Sequence, residues 1–357
     1  MQNDNLAQAQ GLNELSNVID SALNSEPITK NEIVIEQLER HKANRIKYKI
    51  DVTEVIPKPQ IAISLANTKT NGFAIIGTLG NFSLIIGKAK AKKSFFINIL
   101  LATAVSNNHI LNRFKSDLKP NKNDVLYFDT EQSKYHVQIA VKRICTQINE
   151  PEPANLTTYG LRSLTPAERL AFIETEIYDN DKLGFVVIDG IKDLVTSIND
   201  EEQATNIASK LLKWSEERNI HIVTVLHQNK SDTNARGHIG TELQNKAETV
   251  LEVVKAENDT AISIVIPKDC RNIEPEVFAF EINEIGIPII ADNFEIRTET
   301  KKNSFDVTNL ENFKKYKLLT EVFSTNESFN YSRLVEQIGS TRLNSSHSIA
   351  SRMPSSA

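Results

Sequence analysis

From residue 82 to residue 227, short apolar runs alternate with stretches of helical periodicity, and this alternation constrains the fold more than any other feature. The runs are "FSLIIG" (82 to 87), "DVLYFD" (124 to 129), "GFVVID" (184 to 189) and "IHIVTVLH" (220 to 227). Near-continuous Val, Ile and Leu in such runs fits strands buried on both faces. Between them, "SFFINILLATAVSN" puts Phe95, Ile99, Ala102 and Val105 on one helical face and offers Asn107-Asn108 as a stop. "SKYHVQIAVKRICTQI" and "EQATNIASKLLKWSEER" read as two further helices. Strands alternating with helices give parallel βαβ units, so the expectation is an α/β fold with a mostly parallel sheet flanked by helices. "AETVLEVVKA", "TAISIVIPKD" and "EVFAFEIN" read as later strands, antiparallel, extending the sheet.

Around this core the text changes character. Residues 1 to 55 read as an N-terminal leader with a helical segment, "NEIVIEQLERHKANRIKYKI", and residues 56 to 295 as the main domain. Residues 296 to 312 are polar and charged, as a linker is, and 313 to 339 begin a helical module whose opening resembles a winged helix or helix-turn-helix. The tail at 340 to 357 has seven serines in 18 residues and no apolar period. It resembles a translated sequencing adapter, and is set aside as non-native, which leaves the helical module truncated.

Composition excludes several classes. A net charge of -5 and a pI near 5.9 give no overall field for nucleic acid, so any such contact is local. Cys145 and Cys270 stand 125 positions apart, at neither metal-ligand nor redox-motif spacing. The polar start "MQNDNLAQAQ" has no secretory pattern, and no apolar run approaches the roughly 18 residues of a membrane span. These features give the expectation of a cytoplasmic protein with reduced thiols and no membrane contact.

The chemistry concentrates at the ends of the apolar runs. "GKAKAKKSF" follows the first run and carries four lysines in six positions. Gly87, Lys93 and Ser94 stand at the G-x-x-x-x-G-K-[ST] spacing of a phosphate-binding loop, with Lys92 in place of the second glycine. If that position needs positive φ, a lysine there costs about 1 kcal/mol. The loop residues Gly87, Lys88, Ala89, Lys90, Ala91, Lys92, Lys93, Ser94 and Phe95 are the candidate nucleotide contacts. "FVVIDG" has the form of a strand whose terminal Asp189 faces a Mg2+ ion held with Ser94. "LYFDTEQS" presents Asp129 and Glu131; Glu131 is the candidate base for an attacking water, Asp129 a helix cap. His227 and Gln228 end another buried strand, where a polar group can sense a γ-phosphate. The loop after them carries Lys230, Arg236 and His238, candidates for a nucleic-acid backbone.

Taken in order, these four segments resemble the RecA-like P-loop ATPases, in the branch of the RepA and DnaB-type hexameric helicases, closest to RepA-like AAA family ATPases of bacterial mobile elements. The resemblance covers about residues 55 to 295, and no DnaB-type N-terminal domain is recognisable in 1 to 55. It implies a RecA-like core, ATP hydrolysis with Mg2+, a homo-oligomeric hexameric ring, and single-stranded DNA held by loops at its centre. By the same resemblance Lys93 is a catalytic lysine, Ser94 and Asp189 hold the metal, His227 or Gln228 is the sensor, and Lys268 and Arg271 in "PKDCRN" reach a neighbour's nucleotide. The function implied is a replicative helicase of a plasmid or mobile element. The alternative is a nucleotide-gated DNA-binding regulator without helicase activity; a small-molecule kinase finds no lid or acceptor motif.

Overall fold

A computed structural model describes residues 30–67, 70–228, 235 and 237–291, with isolated positions between 316 and 333. Residues 1–29, the segment read as a linker, most of 313–339, residues 340–357, and Lys230 and Arg236 lie outside the described residues. In chain order the elements are α1 (Lys30–Lys47), β1 (Ile61–Asn67), β2 (Gly72–Thr78), β3 (Phe82–Gly87), α2 (Lys93–Ser106), β4 (His109–Ile110), β5 (Phe114–Lys115), β6 (Asp124–Asp129) and α3 (Lys134–Ile148). They continue with β7 (Leu156–Gly160), α4 (Pro166–Asp179), β8 (Leu183–Asp189), α5 (Glu201–Arg218), β9 (His221–His227), α6 (Gly237–Lys246), β10 (Thr249–Lys255), β11 (Ser263–Cys270), β12 (Phe278–Ile282) and β13 (Pro288–Ile290).

The main sheet has nine strands in the order β13-β12-β11-β10-β3-β9-β8-β6-β7. From β10 to β7 every neighbouring pair is parallel, and β10 to β13 are antiparallel. The fold is the expected α/β arrangement, a mostly parallel sheet flanked by helices, consistent with a RecA-like P-loop core. Period-two alternation splits each central strand between two cores. Phe185 and Val187 of β8 pack with α2 and α3, whereas Val186 and Ile188 pack with α4, α5 and α6.

A second, four-stranded antiparallel sheet, β2-β1-β5-β4, covers the outside of α2. This explains why α2 is apolar nearly all round, with Phe96, Ile97, Ile99, Leu100, Leu101 and Ala104 all buried, rather than on the single face its periodicity suggests. Its stop is as read: Asn107 takes the left-handed conformation at φ 47, and its side chain exchanges two 2.7 Å hydrogen bonds with the backbone of Leu118. Asn149 and Asn219 end α3 and α5 in the same way.

No element is read from the sequence between 149 and 183, yet β7 and α4 fill it. β7, "LTTYG", is polar because it is the outermost strand and buries little. α4 was legible locally: Thr165, Pro166 and Glu168 form a capping box, with both reciprocal bonds present.

Candidate active site

Four parallel strands, β3, β6, β8 and β9, end side by side, and the loops after them converge over one cavity of about 340 Å³. The loop after β3 is held tightly. A Cβ on Gly87 would come 2.4 Å from the carbonyl oxygen of Val253 on β10, so only glycine lets the two backbones approach. Lys92 does sit in the left-handed region, at φ 67 and ψ 30, where the usual glycine is at ease. Its ammonium donates to the carbonyl of Ala261 in the β10–β11 turn, and Ser263 Oγ donates to the carbonyl of Ala91 (3.3 Å). The neighbouring hairpin thus braces the loop that the missing glycine leaves strained.

α2 starts at Lys93 with no side chain capping it and no acid in its first turn, which leaves its positive end to an anion. Lys93 Nζ donates to the carbonyls of Gly87 (2.8 Å) and Lys88 (3.1 Å) and meets His227 Nδ1 at 3.0 Å. Burial lowers this lysine to about 8. Ser94 Oγ donates to Asp189 Oδ2 at 3.1 Å. Burial first, and Asp129 beside it second, raise Asp189 to about 7.

Asp129 pairs with Asp189 in the register of β6 and β8 and is itself buried. Its carboxylate accepts from the backbone of Glu131 (3.0 Å) and Gln132 (2.7 Å), from Gln132 Nε2 (2.6 Å) and from Tyr127 Oη (3.2 Å). These bonds tie down the turn after β6, but Asp129 is not the helix cap expected of it, because the residue that precedes α3 is Ser133. Glu131 is free of those duties: Oε2 lies 3.7 Å from His227 Nε2 and Oε1 lies 3.0 Å from Lys192 Nζ. His227, ahead of Lys192, holds Glu131 down to about 2. Where Lys93 donates to Nδ1, the ring N-H is on Nε2, the nitrogen nearer Glu131.

The structure therefore brings Lys93, Ser94, Glu131, Asp189 and His227 together around the cavity, with Lys90, Ala91, Lys92 and Phe95 on its rim. Other members of the sequence-derived set stand apart. Gln228 turns to the buried Glu252, whose other oxygen pairs with Lys268 Nζ at 2.6 Å. Arg271 is bonded to the carbonyl of Lys246 (2.8 Å) at the opposite end of the parallel strands, about 20 Å away over the length of β3. His238, at the start of α6, is exposed with Nδ1 3.8 Å from Glu201.

Arg143, on the cavity lining, and Lys192, beside Glu131, are among the neighbours that escaped the sequence. Arg143 stacks its guanidinium 4.4 Å over the Phe95 ring, closing the outer wall, and Lys192 grips Glu131. Arg143 gave no signal, being one cation among several on α3; Lys192 stands three residues past Asp189 in "DGIKDL", but nothing in the sequence sets it beside Glu131.

Ser94 and Asp189 suit Mg2+, which takes one or two protein oxygens and fills its octahedron with water and phosphate. The clustering of Asp129, Glu131 and Asp189, which pushes Asp189 up, is the excess negative charge a cation relieves. Among the described residues no group of three or more His, Cys, Asp or Glu is arranged to hold a metal by protein ligands alone, and no helix is long and apolar enough to cross a membrane.

No curated protein matches the chain. A family model described as an AAA domain matches residues 75–233, the stretch that supplies the loop at Gly87, the carboxylates at the ends of β6 and β8, and His227. That stretch is similar to the nucleotide-binding domains of P-loop ATPases.

Proposed function

We propose that the protein is an ATP-hydrolysing, DNA-binding motor that serves as a replicative helicase of a plasmid or mobile element, working in the cytoplasm as a homo-oligomeric ring. The observation that carries this reading is the convergence of Lys93, Ser94, Glu131, Asp189 and His227 at the ends of four adjacent strands. Lys93 and the open end of α2 hold the β- and γ-phosphates, with the loop backbone from Gly87 around them. Ser94 and Asp189 hold Mg2+, which supplies charge neutralisation on the transferred phosphoryl group. Glu131 orients and deprotonates the water.

His227 links two of these parts. It bridges Lys93 and Glu131, so a γ-phosphate that draws Lys93 away from Nδ1 changes what the histidine offers Glu131. The backbone leads directly from His227 and Gln228 into the segment with Lys230 and Arg236, and on to His238, so the state of the phosphate has a short path to the proposed DNA contacts. Arg271 lies too far from its own cavity to touch its own nucleotide, which supports action on a neighbour's. Lys268, paired with Glu252, needs to release that carboxylate to do the same.

The test is the ATPase rate with and without single-stranded DNA across protein concentration. DNA stimulation with a concentration-dependent rise is expected for a ring motor. Hydrolysis indifferent to DNA and to concentration would sink the helicase reading and favour a nucleotide-gated regulator.

A further inference from the structure

Glu131 is held from two sides, and one of its partners has no part in the scheme above. Lys192 approaches Oε1 to 3.0 Å, whereas His227 stays 3.7 Å from Oε2. His227 is among the residues that line the cavity and Lys192 is not, so the tighter contact holds the oxygen on the side away from the lining and Oε2 is the one beside the cavity residue His227.

The mount of Lys192 is stiff. It sits in a 3₁₀ turn, Ile191–Leu194, whose end residues are both buried. The turn is pressed onto the β6 loop through Gly190, at φ 103, where a Cβ would meet Thr130 Oγ1 at 2.1 Å and Glu131 Cγ at 3.1 Å. Thr130 Oγ1 lies 2.9 Å from the Asp193 carboxylate, and Arg169 Nη1 donates to the Asp193 carbonyl at 3.0 Å. A lysine on a flexible surface contributes little through such a pair. One whose flanking residues are fixed on both sides delivers its ammonium to a single place.

We propose that Lys192 is a positioning residue for the hydrolytic carboxylate: it fixes Glu131 through Oε1 so that Oε2 stands toward the attacking water. The inference rests on the reading of Glu131 as the base. Lys192 touches neither nucleotide nor water; its effect passes through the orientation of Glu131, to which the rate of a proton-accepting step is sensitive.

The experiment compares Lys192→Met, Lys192→Arg and Glu131→Gln in the full chain, by steady-state ATP hydrolysis with Mg2+ and single-stranded DNA, binding of a fluorescent ATP analogue, and thermal melting. Lys192→Met is expected to lower kcat about tenfold or more, with KM and analogue affinity within about threefold, and Lys192→Arg to recover most of kcat. If Glu131→Gln abolishes turnover while Lys192→Met leaves kcat within about twofold, or raises it, the positioning role is wrong. It is equally wrong if Lys192→Met lowers melting temperature and nucleotide affinity together and arginine restores nothing. If Glu131→Gln itself retains turnover, the assignment of Glu131 fails first and the inference falls with it.

Discussion

The two ends of the parallel sheet use the same materials to opposite effect. At the end where the strands begin, Glu248 is buried and saturated: it accepts from the Thr78 backbone (2.8 Å), Thr78 Oγ1 (2.9 Å) and Asn272 Nδ2 (3.0 Å). His221 beside it is buried and bonded through Nδ1 to the Thr78 carbonyl at 2.9 Å, with burial lowering its pKa. At the end where the strands finish, the Asp189 carboxylate takes among the described residues one hydrogen bond, from Ser94, and is pushed up to about 7 by burial and by Asp129. A carboxylate with its lone pairs filled is a fastener. One that is desolvated, crowded by like charge and open to a cavity is arranged for something that arrives from outside.

The most forceful way to break this comparison is to neutralise one carboxylate at each end. Glu131→Gln removes the proposed base but keeps the shape, so kcat for ATP hydrolysis is expected to fall by about 10²- to 10⁴-fold, with analogue affinity and melting temperature nearly unchanged. Equal loss of binding and turnover would show that Glu131 holds the site together instead. Glu248→Ala should do the reverse. It leaves the two buried Thr78 donors unpaired, at a cost of about 3 kcal/mol in denaturant unfolding, while nucleotide affinity of the folded protein stays the same. If Glu248→Ala weakened nucleotide binding without lowering stability, the division between the two ends would not hold.

Most of this division was legible in the sequence, for a physical reason. Strand-end residues at the finishing edge lie next to the apolar runs that announce the strands, so "FVVID", "LYFDTE" and "IVTVLHQ" locate both the strands and their chemistry. The left-handed Lys92 was foreseeable as well, because the phosphate-loop pattern states which position needs a glycine. The starting edge was silent. Glu248, Thr78 and His221 come from segments up to 170 positions apart, and their pairing exists only once the sheet is ordered β10-β3-β9. Lys192 belongs to the same class: its place beside Glu131 depends on β8 lying next to β6, although strand 8 follows strand 7 in the chain.

Acidity gives a sharper version of the comparison. Between the ordinary 3.8 and about 7, Asp189 in the metal-free folded state holds a proton that the unfolded chain has lost. Metal-free stability therefore declines as pH rises through that window, and a cation binding there has to displace the proton as pH falls below about 7. Mg2+-dependent nucleotide affinity is expected to drop by up to about tenfold per pH unit below that point and to level off above it. Asp189→Asn should abolish the pH dependence and the Mg2+ requirement together, and raise the melting temperature of the metal-free protein at pH 8. A pH-independent Mg2+ affinity in the unmutated protein would place the metal elsewhere.

The smallest effect lies in the loop itself. Lys92 combines a strained backbone, at φ 67, with a useful ammonium bonded to Ala261. Lys92→Gly relieves about 1 kcal/mol of left-handed strain but forfeits the bond and adds freedom to the unfolded chain, so the terms nearly cancel. Lys92→Ala keeps the strain and forfeits the bond. Alanine is therefore expected to be the worse of the two, by about 1 kcal/mol in denaturant unfolding, although its helix propensity at the start of α2 is higher. Nucleotide affinity should change less than about threefold in Lys92→Gly, because a phosphate-binding loop acts through its backbone N-H groups. If alanine proved as stable as glycine, the left-handed turn would not be what the loop requires, and the lysine in the glycine's place would be a tolerated substitution without strain.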